Sequence, residues 1–189
     1  MTRLWLVRHA PTHAKAMIGW TDLPADLSGH AQIARLRNAL PDAPLVSSDL
    51  TRTVQTADAL TPATRLPNDP DLREINFGDW DGLTFAEAEA RDPKLIRDYW
   101  ERPGDIAPPN GESWNEVRTR VGVAIDRHTA AGHADLIVVT HFGAILSQIQ
   151  RACGISAYET FGQKIDNLSV TQFEAANGGL TVVSINRTP

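Results

Sequence analysis

The sequence predicts a three-layer α/β fold: a mainly parallel sheet with helices on both faces and a small helical insertion over the site. Three observations carry that expectation. Short apolar runs bounded by polar residues at Leu4–Val7, Leu45–Val46 and Leu136–Val139 read as buried strands, and helix-spaced apolar residues come after each. The chain closes on Leu168–Phe173 and Leu180–Ile185, joined over Asn177-Gly178-Gly179, a hairpin pattern. At 189 residues it suits one domain, residues 1–189, since single domains commonly run about 100–200 residues.

Composition narrows the function classes. A net charge of −5 argues against general binding to nucleic acid or a membrane surface, both of which call for a basic face. The one cysteine, Cys153, excludes an internal disulfide framework and fits a reducing compartment; its place in an apolar helical stretch predicts inert core packing. The N-terminal residues run straight into a strand, and no stretch approaches the ~20 apolar residues of a membrane helix. A soluble, cytoplasmic protein is expected, and oligomeric state is not legible.

The first strand stops on Arg8-His9 before Pro11, which cannot continue a central strand. A loop follows to Pro24, and Ser28 is placed to cap a helix carrying Ile33, Leu36 and Leu40. Leu45-Val46 runs into Ser47-Ser48-Asp49, then a helix with Leu50, Val54, Ala57 and Leu60 on one face and Arg52 near its start. Thr61–Asp71, broken by three prolines, reads as loop. Residues 81–111 form the insertion, a potential lid. Within it Thr84 and Glu87 make a capping box, and Asp92-Pro93 caps and opens a helix to about Glu101. Ser113 and Glu116 make a second box ahead of a core stripe at Val117, Val121, Ala124 and Ile125. Leu136–Val139 ends on Thr140-His141-Phe142-Gly143, and the helix after it stops at Gly154.

Three strand ends therefore carry Arg8-His9, Ser48-Asp49 with Arg52, and Thr140-His141. In a parallel sheet these ends share one edge, the usual place for a ligand. Paired guanidinium groups match a phosphate dianion, a helix start adds backbone donors, and a neutral imidazole is a nucleophile that can also leave. Taken singly, an arginine at a strand end is more often a surface residue, and a lone histidine after a strand more often a capping or core one. His9 and His13 have the spacing of a helical metal pair, but Pro11 lies between them and a strand precedes them, so a metal site is not expected. His30, His128 and His133 read as surface residues. Trp20, Trp80, Trp100 and Trp114 are either pocket walls or packing, with packing preferred.

These motifs resemble the histidine phosphatase superfamily, which includes the cofactor-dependent phosphoglycerate mutases. Arg8-His9-Ala10-Pro11-Thr12 resembles its first signature, Ser48 to Thr53 with Gln55-Thr56-Ala57 its second arginine motif, and Leu72-Arg73-Glu74-Ile75 through Gly82 its acid motif. Gly111-Glu112-Ser113 and Val139 to Gly143 resemble the remaining two, in order. The resemblance implies His9 as nucleophile, Arg8, Arg52 and His141 around the phosphoryl group, and Glu74 as general acid. It places Thr12, Lys15 and Glu112 among substrate-binding positions, with Glu112 shaping the entrance. It implies no cofactor and no metal, and a small phosphorylated substrate. Ala10, Pro11, Lys15 and Phe142 depart from the family pattern. Lys15 either serves the anion or faces solvent, and Phe142 is expected to narrow the pocket. Within the family the acid motif and Pro108 to Ser113 look most like the alpha-ribazole phosphatase branch of cobalamin assembly. A mutase-type phosphotransferase and a non-catalytic phosphate-binding module are the alternatives. The modest segment between Glu74 and Glu112 favours a phosphatase over the first, and retention of all five site residues counts against the second.

Overall fold

The computed structural model describes residues 1–189. The apolar runs form β1 (Thr2–Arg8), β2 (Leu45–Ser47) and β3 (Asp135–Thr140), and the closing hairpin forms β4 (Val170–Ala176) and β5 (Gly179–Arg187). Strand order is β2-β3-β1-β4-β5. β2, β3 and β1 pair in parallel, whereas β1–β4 and β4–β5 are antiparallel. The expectation of a mainly parallel sheet is corrected to a mixed one. The reason lies in the connection into β4, which returns the chain to the end of β1 where Arg8 N–H donates to Ser169 O, so β4 must run back alongside β1.

Strand alternation divides the interior. Leu4, Leu6, Leu136 and Val138 face α5 (Trp114–Ala130) and α6 (Phe142–Cys153), through Val117, Val121, Ala124, Ile125, Ile145, Leu146 and Ile149. Val7, Ile137 and Val139 face the other side, where Ile33 and Leu36 of α1 (His30–Ala39) and Ala57 of α2 (Thr51–Ala59) pack. Helices thus cover both faces. The insertion supplies α3 (Phe85–Arg91) and α4 (Pro93–Glu101); Ile96 and Tyr99 of α4 join the α5–α6 core with Trp80 and Trp114, which are fully buried as packing. The capping boxes at Thr84 and Ser113 are both formed, and a third, Ser156 with Glu159, starts the short α7 (Ala157–Phe161), which the sequence reading did not resolve. No helix is long and apolar enough to cross a membrane.

Several local expectations are corrected. Helix α1 begins after Gly29 with no side-chain cap, because Ser28 lies in the preceding turn and its N–H donates to Asp26. Asp92 stands at the N-cap of α4 ahead of Pro93 as expected, but its side chain makes no cap bond and accepts from the indole N–H of Trp80 instead. Pro70–Leu72 is a single 3-10 turn within the presumed loop. On α2 the buried residues are Arg52, Thr53, Thr56 and Ala57, with Val54 only half-buried. That helix turns a polar face inward, where the Thr53 and Thr56 hydroxyls donate to Leu50 O and Arg52 O. Cys153 is exposed, since Ala152, three residues after Ile149, takes the inward place at the end of α6. His128 is largely covered, bonded through Nε2 to the buried Asp69.

Candidate functional site

Strand register brings the two histidines together. Arg8 of β1 lies opposite Thr140 of β3, so the next residues, His9 and His141, leave the sheet side by side with ring centroids 5.2 Å apart. Ser48 leaves β2 beside them, its N–H donating to Val139 O. His9 is 7% exposed and His141 fully buried.

The tautomer of His9 follows from its contact. Nδ1 lies 2.7 Å from Ala10 O, and a carbonyl oxygen can only accept, so Nδ1 carries the proton and Nε2 keeps a lone pair. The backbone around it is pinned, because Asn167 Nδ2 donates to His9 O and Ala10 N–H donates to the Thr56 hydroxyl. Burial, reinforced by the charges of Arg52 and Arg8, pushes the His9 pKa down to about 3. The ring is neutral at physiological pH. Ala10 stays outside the left-handed region, so its departure from the family glycine requires no strained backbone.

Two arginines face this pair without a carboxylate at ion-pair distance. Arg8 Nη1 donates to Ile165 O at 2.6 Å while its buried Nε has no partner; Arg52, 1% exposed, donates to Thr21 O and Gly19 O. Desolvation draws both guanidinium pKa values down. Arg52 is buried and Arg8 half-buried, and charges of one sign taken out of water are costly unless an anion joins them, so the cluster favours one. The Phe142 ring lies 5.3 Å from the Arg8 guanidinium and so packs against the clamp.

Glu74 supplies a carboxyl group at the edge of this cluster. Its Oε1 accepts from Gly143 N–H (2.8 Å) and Ile75 N–H (3.0 Å), and burial raises its pKa above the ordinary carboxylate value. Gly143 is required there: a Cβ would stand 2.5 Å from Glu74 Oε1. His141 stands at the N-cap position of α6 without a side-chain cap bond; its Nε2 bonds Ser48 Oγ (2.7 Å), leaving Nδ1 buried without a partner. Its pKa lies well below normal, from burial first, then from the repulsion a protonated His9 would add and from the charges of the arginines.

The remaining predicted positions fall elsewhere. Glu112 serves as a brace: Asn76 N–H and the Arg120 guanidinium occupy both its oxygens, and Arg120 also donates to Asp71 O, Arg73 O and Glu74 O. Asp49 is likewise consumed, in a bidentate pair with Arg73. Thr12 is half-buried, and Lys15 is exposed without an ion-pair partner. His13 bonds Asp26 at the surface. Sequence reasoning gave no role to Arg120, Thr56 or Asn167 and none of its own to Ser48. Only Arg120 left a signal, as a charge inside the helical stripe Val117, Val121, Ala124.

The profile of the histidine phosphatase superfamily, branch 1, matches residues 4–188. The chain belongs to that superfamily. A bifunctional protein of Mycobacterium tuberculosis is 34% identical over 99% of this chain and 54% of its own length. The chain thus spans about half the length of the first curated relatives it matches. An adenosylcobalamin/alpha-ribazole phosphatase of Salmonella typhimurium is 26% identical over 97% of this chain and 96% of its own. The solved structure of a mycobacterial glucosyl-3-phosphoglycerate phosphatase in complex with VO3 superposes with a TM-score of 0.84 at 26% identity, covering 98% of this chain and 99% of that one. Both of the latter two are named as phosphatases.

Proposed function

We propose that the chain is a phosphomonoesterase working through a phosphohistidine at His9 Nε2 on a small phosphorylated metabolite. The observation that carries this is the neutral His9, fixed as the Nδ1–H tautomer beside the buried Arg52 and the half-buried Arg8, neither of which has a carboxylate at ion-pair distance. His9 Nε2 attacks phosphorus and the P–O bond to the alcohol breaks; Glu74, whose hold on a proton burial strengthens, gives that proton to the leaving oxygen. Water then attacks the phosphohistidine, its proton goes to the Glu74 carboxylate, and inorganic phosphate leaves with His9 restored. Arg8 and Arg52 offset charge on the moving phosphoryl group, and His141 Nδ1 is placed to bond one of its oxygens. Every charge the transfer needs comes from this chain, so the reaction is metal-independent.

Alpha-ribazole phosphate is the first substrate to try, on the near full-length similarity to the Salmonella enzyme. The test is phosphate release, in EDTA, from alpha-ribazole phosphate, 3-phosphoglycerate and an aryl phosphate, with His9→Ala alongside. Turnover by the natural chain and none by the variant is expected. Full activity of His9→Ala overturns the nucleophile, and turnover of none of the esters overturns the reading in favour of a mutase or a binding module.

A further inference from the structure

Arg52 is gripped by the carbonyls of Gly19 and Thr21, so its aim depends on the segment Gly19-Trp20-Thr21. That segment is drawn onto one carboxylate. Asp81 accepts the backbone N–H groups of Gly19 (3.2 Å), Trp20 (2.7 Å) and Thr21 (3.2 Å). Successive N–H groups converging on an anion form a concave nest, and here carbonyls of the same segment turn to a cation. The peptides are sandwiched between the charges of Asp81 and Arg52. Trp20 also donates its indole N–H to Glu74 O (2.8 Å), and a Cβ on Gly19 would stand 2.1 Å from Ile75 O. One strap therefore touches both the clamp arginine and the backbone of the acid.

We propose that Asp81 is a positioning residue for phosphoryl transfer, holding the Gly19–Thr21 strap in the form that aims Arg52 at the phosphoryl group. This rests on the phosphomonoesterase reading above. The indirect arrangement has a chemical logic. A carboxylate bonded straight to Arg52 would neutralise it, whereas neutral carbonyls orient the guanidinium and leave its charge for the substrate. Asp22 fixes the far end of the strap, accepting from the N–H and hydroxyl of Thr51, the residue before Arg52.

The experiment is a double-mutant cycle over Asp81 and Arg52, read in kcat/KM for an aryl phosphate and in inhibition by vanadate. Misplacing a reacting group by about 1 Å costs on the order of 100-fold. Asp81→Ala is therefore expected to lower kcat/KM by about 10- to 100-fold and to weaken vanadate inhibition by a similar factor. In an Arg52→Ala background the same change is expected to cost less than about threefold, because its route of action is gone. Equal losses in both backgrounds, or lost turnover with vanadate inhibition intact, overturn the proposal. Should Asp81→Ala not fold, the isosteric Asp81→Asn is carried through the same cycle. Should the natural chain hydrolyse no phosphomonoester, the phosphatase reading fails separately, and calorimetric vanadate binding across the four proteins decides the coupling: non-additivity supports it and additivity overturns it.

Discussion

Burial of His9 leaves a thermodynamic trace that can be measured without any substrate. In the fold its pKa is pushed down to about 3, against an ordinary value of 6.5 in the unfolded chain. Between those values the unfolded chain binds the extra proton, so this residue's contribution to stability is intact above about pH 6.5 and is lost as the pH falls below it. Integrated from about pH 7.5 to about pH 5, that loss is roughly 2 kcal/mol for this one ring. His9→Asn removes the titrating group and keeps an amide N–H for Ala10 O. Urea denaturation of both proteins at the two pH values is expected to show the natural chain losing about 2 kcal/mol more than the variant on acidification. Parallel losses refute the buried neutral imidazole and with it the tautomer argument. His141, lowered mainly by burial, stays in both proteins and adds an acid sensitivity common to them.

Glu74→Gln is expected to slow hydrolysis of alkyl phosphates far more than of activated aryl phosphates, and equal losses would refute the acid role. Because the folded pKa of Glu74 is raised above 4.5, the ionised form costs stability as the pH rises past that value, so the glutamine variant is expected to be the more stable near pH 7, with the gap closing below about pH 4 on thermal melts. Gly143→Ala drives a methyl group into Glu74 Oε1 and is expected to cut kcat at least about tenfold in a folded protein; an unchanged kcat would show that the acid tolerates displacement. Trp114→Ala removes a fully buried indole and is expected to cost about 3–5 kcal/mol in denaturant titration, with a loss under about 1 kcal/mol contradicting the packing described.

Where a residue's role follows from local pattern, the sequence was legible. The strand ends bearing Arg8-His9, Ser48 and His141 were placed by apolar runs and their stops, and the boxes at Thr84 and Ser113 by spacing alone. Roles fixed by long-range contact were not. Nothing local to Glu112 announces that Arg120 will take both its oxygens, and nothing local to Asp92 announces an indole from Trp80. The direction of β4 escaped for the same reason, because hydrophobic periodicity marks a strand but not which end of the sheet the chain enters from. The polar inner face of α2 misled helical reasoning because a site, like a core, buries side chains.

The central position of β1 has a consequence for the history of each molecule. Its neighbours β3 and β4 come much later, the pairing of Arg3 with Asp135 spanning 132 residues. At synthesis rates of about 5–20 residues per second, on the order of ten seconds pass between the emergence of β1 and that of its first partner strand. Throughout that interval Leu4, Leu6 and Val7 have no partner strand, and His9 next to them has nothing to bury it. Such distant pairing makes for slow folding and a nascent chain open to aggregation, so folding yield is expected to depend on what shields this strand on the ribosome.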